Sequence, residues 1–171
     1  MLDKYHQIFI QDIKRRIFDE NWSRVNKCLE ILNEEQVWYS QNENVNSVAN
    51  LILHICGNLR QYVCSGIFRE KDVRDRDREF SAEPGRFDKK ELKSMFAETM
   101  EELGEKIELL TPEILTQNYS VQGFQESGIA IMIHITEHLS YHVGQITHIT
   151  KSLENIDTGY YKGIDLNAKD C

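Results

Sequence analysis

Two prolines and nine glycines in 171 residues are too few for a turn-rich sandwich, so long uninterrupted helices are expected. The chain lacks any apolar run near the about 18 residues that span a bilayer, so no membrane partner is expected. Its N-terminus, from Met1 to His6, lacks the apolar core and small-residue cleavage site of a secretion signal, which points to a cytoplasmic protein. Basic residues are outnumbered 28 to 20, for a net charge of −8. That balance argues against nucleic acid, whose affinity rests on Lys and Arg displacing counterions. The four cysteines, Cys28, Cys56, Cys64 and Cys171, form no Cys-x-x-Cys pair. They are expected as reduced thiols, with Cys56 and Cys64 as core filler in an apolar helix and Cys171 exposed.

What the chain does have is four helical patterns. The first runs from Lys4 to Leu32, with Ile10, Ile13, Ile17, Val25, Leu29 and Leu32 as its apolar stripe and Trp22-Ser23 as a bend. Glu34 to Asn44 reads as a connection. The second helix starts at Asn46 or Ser47, both good N-caps, and reaches Phe68. A charged loop follows from Arg69 to Arg86. The third helix opens at Asp88 with Glu91 three residues on, a capping-box spacing, and runs to Leu110. Thr111-Pro112 stops it and starts a short turn, and Asn118 to Phe124 is the one β-like fragment. The fourth helix spans Glu126 to Leu153, and the tail from about residue 155 reads as irregular. The expectation is a single all-α domain over residues 1–171, a four-helix bundle that buries about 70% of its unfolded surface.

The fourth helix carries four of the six histidines, His134, His138, His142 and His148. Residues four apart on a helix lie only about 40° apart and one turn along, so His134, His138 and His142 form one narrow stripe. Ile131, Ile135, Leu139, Ile146 and Ile149 hem that stripe, which places it at the edge of the buried face. An i, i+4 histidine pair can point two ring nitrogens at one ion. The second helix has its own polar stripe, Asn50, His54, Asn58 and Gln61. One ligand from one helix and two from another is how bundles build metal sites. His54, His138 and His142 are therefore the expected metal ligands, with His134 able to replace His138. Three neutral nitrogens with an open position suit catalytic zinc, and imidazole also suits nickel, iron or copper. His6 and His148 are not expected to be ligands, and His6 is expected to be solvated. Glu137 points about 100° from His138 and is left out.

The pattern of His54 in a second helix and His138, His142, Gly144 and Gln145 in a fourth resembles the DinB-like (YfiT-type) metal-binding four-helix bundles. The usual ending there is His-x-x-x-His-Arg-Gly-Gln, and Val143 stands where the Arg would be, which removes a charge but no ligand. Residues 46–61 and the run from Arg74 to Phe80 resemble an uncharacterised bacterial branch, and the resemblance covers nearly the whole chain. It implies a divalent cation, zinc or nickel foremost, and a homodimer, for which Tyr5, Phe9 and Phe18 on the first helix offer surface. Members include thiol S-transferases that use bacillithiol or mycothiol. The expected function is thus metal-dependent transfer of a low-molecular-weight thiol to an electrophile. Tyr141 and Gln145 flank the histidines as candidate catalytic residues, or as groups that hold a ligand histidine or the substrate. The alternation from Arg74 to Glu79 reads first as a solvated, self-paired loop. Its functional reading has Arg76 or Arg78 gripping a carboxylate on the thiol. A metal-dependent hydrolase, a non-catalytic metal-binding or stress-related bundle, and a plain helical interaction protein are the competing readings.

Overall fold

The computed structural model describes residues 2–169, and Cys171 lies outside them. Four long helices dominate: α1 (residues 2–31), α2 (residues 48–67), α3 (Lys89–Glu108) and α4 (Gly128–Glu154). Their apolar stripes meet in one core, so the fold is the expected all-α bundle. Helix α2 is buried nearly all round in its first three turns and packs against both α3 and α4, while α1 closes the bundle against α4. No helix among the described residues is long and apolar enough to cross a membrane.

Local chemistry sets the helix starts. Ser47 accepts a hydrogen bond from the Asn50 amide at 3.2 Å, and Asp88 and Glu91 cap one another reciprocally at 2.7 and 2.8 Å. The middle of α1, Arg15–Trp22, is π-helical, and so is the end of α2, Arg60–Ile67. A wider turn keeps residues four apart in line. That accounts for the inward succession of Ile13, Ile17, Asn21 and Val25. The bend expected at Trp22-Ser23 is the end of this π segment.

Several expectations need correction. The β-like fragment is one half of a hairpin, Asn118–Val121 paired antiparallel with Phe124–Ser127. Gln122 and Gly123 turn it with φ of 51° and 82°, the two positive values a tight hairpin requires. Pairing takes Glu126 and Ser127 into the strand, so α4 begins at Gly128 rather than Glu126. The Glu34–Asn44 connection holds a helical turn, Glu34–Val37, capped by Asn33. The charged loop likewise holds a short helix, Arg76–Ser81, capped by Asp75. Both are too short to show a period. His6 is half-buried rather than free in solvent, with its Nε2 2.7 Å from the Leu110 carbonyl oxygen. Of the three aromatics offered for pairing, only Tyr5 is exposed, and Phe9 and Phe18 pack against the core. The tail is irregular as expected, yet Tyr160 is tied down by Thr147 and Cys28 at 2.9 and 3.2 Å. Cys28, Cys56 and Cys64 are free and buried.

Candidate metal centre

Helix α2 delivers His54 and α4 delivers His138 and His142 to one point between them. His138 Nε2 lies 3.0 Å from His54 Nε2 and 3.2 Å from His142 Nε2. One ligand atom from each of the three rings falls within 4.8 Å of the others. The outer nitrogens of two of them have acceptors. His54 Nδ1 lies 2.9 Å from Glu79 Oε2, and His142 Nδ1 lies 2.7 Å from Gln145 Oε1. A carboxylate and an amide oxygen only accept, so each holds the imidazole proton on Nδ1 and leaves a lone pair on Nε2. Those lone pairs converge on His138 Nε2, which cannot donate to both. A cation is what such a donor set fits, and zinc and nickel both take imidazole nitrogen.

The remaining sequence candidates separate cleanly. His134 shares the stripe but not the cluster: its ring stacks on Tyr62 with centroids 4.2 Å apart. Its buried Nε2 finds no hydrogen-bond partner among the described residues, and neither does His138 Nδ1. His148 and Glu137 are exposed. Gln145 touches a histidine of the cluster through its amide oxygen, whereas Tyr141 is 65% exposed with its ring edge-on to His142.

The charged run contributes what sequence reasoning missed. Arg74 and Glu79 go inward, with side chains only 4% and 9% exposed, and Arg74 Nε donates to Glu79 Oε1 at 2.6 Å. Arg74 Nη2 donates to Glu79 Oε2 at 2.8 Å, which completes a two-point pair behind His54. The arginines singled out from sequence do not enter. Arg76 lies over the Phe80 ring, and Arg78 pairs with Asp75 while 83% exposed. The solvated-loop reading is thus right for Arg76 and Arg78 and wrong for Arg74 and Glu79. The signal that was available lies on α2, where a buried polar stripe must find partners. Asn50 Nδ2 donates to the Glu79 carbonyl at 3.0 Å, and Gln61 Oε1 accepts from Arg74 Nη1 at 2.8 Å. Phe80, from the same segment, packs its ring 4.7 Å from that of His54.

Electrostatics disfavour a charge on two of the rings, His138 and His142. Burial first, then the neighbouring His142, His54 and His134 and the Arg74 guanidinium, push His138 from its ordinary 6.5 down to about 3. Burial also lowers His142, against the opposing bond from Gln145. Burial works to raise the Glu79 carboxyl, but the bonds from Arg74 and His54 win and hold it below its ordinary value. Neutral imidazoles and an ionised carboxylate are the states a cation needs. A second cluster, Cys64 with Glu70 and Glu102, is a poorer candidate. Arg60 holds Glu102 at 2.8 Å and Lys106 holds Glu70. Burial and Glu102 push the Cys64 thiol up to about 12, far from thiolate. A cavity of about 1150 Å³ is lined by Gly57, Arg74 and Glu79 and by none of the three histidines.

Comparison with known proteins bears on the fold and the family. No curated protein matches the chain. Among solved structures the chain is similar to a DinB-like protein, YjoA, from Bacillus subtilis. The TM-score is 0.65 at 16% identity, over 85% of this chain and 94% of that one, a likeness of fold. Residues 5–162 match the family described as "protein of unknown function (DUF1572)", and the chain belongs to this DinB-like family.

Proposed function

We propose that the chain is a metal-dependent enzyme that transfers a low-molecular-weight thiol to an electrophile, with His54, His138 and His142 holding one divalent cation. The observation that carries the metal half is the convergence of three Nε2 atoms whose outer nitrogens on His54 and His142 are already committed to Glu79 and Gln145. Zinc or nickel held there supplies Lewis acidity, which brings the ionisation of a thiol or a water into the neutral range. The chain's own residues do the rest. Glu79 and Gln145 keep the lone pairs aimed, and Phe80 shields His54 on one side. Low ring basicity keeps His138 and His142 from protonating at neutral pH.

Sulfur forms a new bond to the electrophilic carbon, the leaving group departs with its electron pair, and the thiol proton passes to solvent. The reaction class rests on the resemblance of residues 46–61 and 138–145 to a family that includes thiol S-transferases, and on a ligand set that leaves a coordination position open. The test is direct. Purified protein should carry about one cation per chain. Loaded protein should consume bacillithiol, glutathione or cysteine with an alkylating electrophile faster than the metal-free form. A bound cation with no such rate, and no hydrolysis of esters or amides, makes the chain a non-catalytic metal-binding bundle instead.

A further inference from the structure

We infer that Gly57, Arg74 and Glu79 act together as a lock on the tautomer of His54: Glu79 is a positioning residue, Arg74 holds it, and Gly57 is the opening that admits it. This rests on the reading that the three histidines hold a cation. The argument begins with a conflict of contacts. His54 Nδ1 lies 2.9 Å from Glu79 Oε2 and 3.1 Å from Arg74 Nη2. If Nδ1 accepted from the guanidinium, the imidazole proton would sit on Nε2, facing His138, and no lone pair would be left there. Nδ1 and Oε2 would then be two acceptors in contact without a proton between them. With the proton on Nδ1, Oε2 accepts from both His54 and Arg74, every group is satisfied, and Nε2 is free.

Glycine at position 57 makes this arrangement sterically feasible. A Cβ there would stand 1.9 Å from Glu79 Oε1 and 2.9 Å from Arg74 Nε. The obstruction falls on the carboxylate and on the guanidinium that grips it, so relief requires the Glu79 carboxylate to shift from its present place beside His54. Position 57 lies one turn from His54 on the same helix, with a helical backbone that any residue adopts. Space is therefore the reason for glycine here. The segment that brings the carboxylate is stitched to α2 on either side of this point. Asn50 donates to the carbonyls of Glu79 and Ala82, and Gln61 bonds Arg74 and Asp72. A buried ion pair is a weak source of net stability, because desolvation offsets its attraction. Aiming His54 gives this one a purpose that stability does not.

The experiment uses the full chain in wild-type form and as Glu79→Ala, Gly57→Ala and the double variant. Zinc affinity is read by competition with a chromophoric chelator. Each single variant should bind about 10- to 100-fold more weakly, the usual loss when an outer partner of a ligand histidine is removed. The double variant should be no weaker than the weaker single, because both changes remove one interaction. Losses that add in the double variant, or wild-type affinity in Glu79→Ala, would overturn the lock. A second readout needs neither metal nor mutation. Ring nitrogen-15 signals of the metal-free wild type at about pH 9, where free imidazole is neutral, should place the His54 proton on Nδ1. Finding it on Nε2 overturns the inference even if every variant misfolds. If the wild type binds no zinc, the metal reading fails, while the nitrogen signals still decide the tautomer.

Discussion

His134 and His142 stand at equal distances on either side of His138 along one helix, and the structure treats them oppositely. His142 joins His54 and His138, with its outer nitrogen bonded to Gln145. His134 lies against Tyr62, with its Nε2 buried and unpartnered among the described residues. Identical spacing therefore does not make identical sites. The i, i+4 interval puts all three rings in line, but the facing helix decides which of them find company. Opposite the lower pair α2 presents His54, and opposite the upper position it presents the flat face of Tyr62. What separates a member of the cluster from its neighbour here is the partner on the far nitrogen and the residue across the groove.

The sharpest way to break that comparison is to remove each histidine in turn. His138→Ala and His142→Ala should each lose most bound metal from a starting value of about one ion per chain, while His134→Ala should keep it. Elemental analysis after dialysis reads the result. Loss confined to His134→Ala would move the site one turn toward the start of α4 and reverse the comparison.

Acid stability gives a smaller but graded contrast. The folded protein holds His138 near 3, whereas the unfolded chain restores it to about 6.5. Between those values the unfolded state binds a proton that the folded state refuses, so stability falls as pH drops from about 6.5 toward 3. Glu79, held below its ordinary value, adds to the loss at the acid end. Urea midpoints of the metal-free protein should decline over this range. His138→Gln should flatten the slope more than His134→Gln, because His138 alone sits among three imidazoles and a guanidinium. Equal slopes in the two variants would mean that the cluster does not set the basicity of His138.

Much of this was legible beforehand, for identifiable reasons. Ser47 and Asp88 start their helices as read, because caps are local chemistry and need no tertiary context. The grouping of His54 with His138 and His142 followed from polar stripes at the edges of two apolar arcs. The Arg74–Glu79 pair did not, since alternating charge looks the same whether it faces water or folds under. Which of five successive arginine and aspartate residues turns inward depends on a six-residue helix and on the gap at Gly57. The start of α4 was misplaced for a related reason. Gln125 and Glu126 carry no strand signature, and only pairing with Asn118–Val121 makes them one.

The finest contrast lies between Tyr141 and Gln145, which flank His142 from either side along the chain. Both were candidates from sequence, yet one reaches solvent and the other reaches a ring nitrogen. Gln145 Oε1 accepts from His142 Nδ1 at 2.7 Å, so Gln145→Leu leaves that N–H without its acceptor and frees the ring to turn. Zinc affinity should fall by about 10-fold, at the low end for an outer partner because an amide oxygen is a weaker acceptor than a carboxylate. Tyr141 meets His142 only through a ring edge, at a centroid separation of 5.1 Å. Tyr141→Phe keeps that contact and removes a hydroxyl that holds no cluster nitrogen, so zinc affinity should stay within about twofold of wild type. Thiol consumption by the same two variants then separates their roles. A Tyr141→Phe protein with normal zinc affinity and a lost rate would place the phenol on the substrate. Normal values for both leave Gln145 as the one of the pair that serves the site.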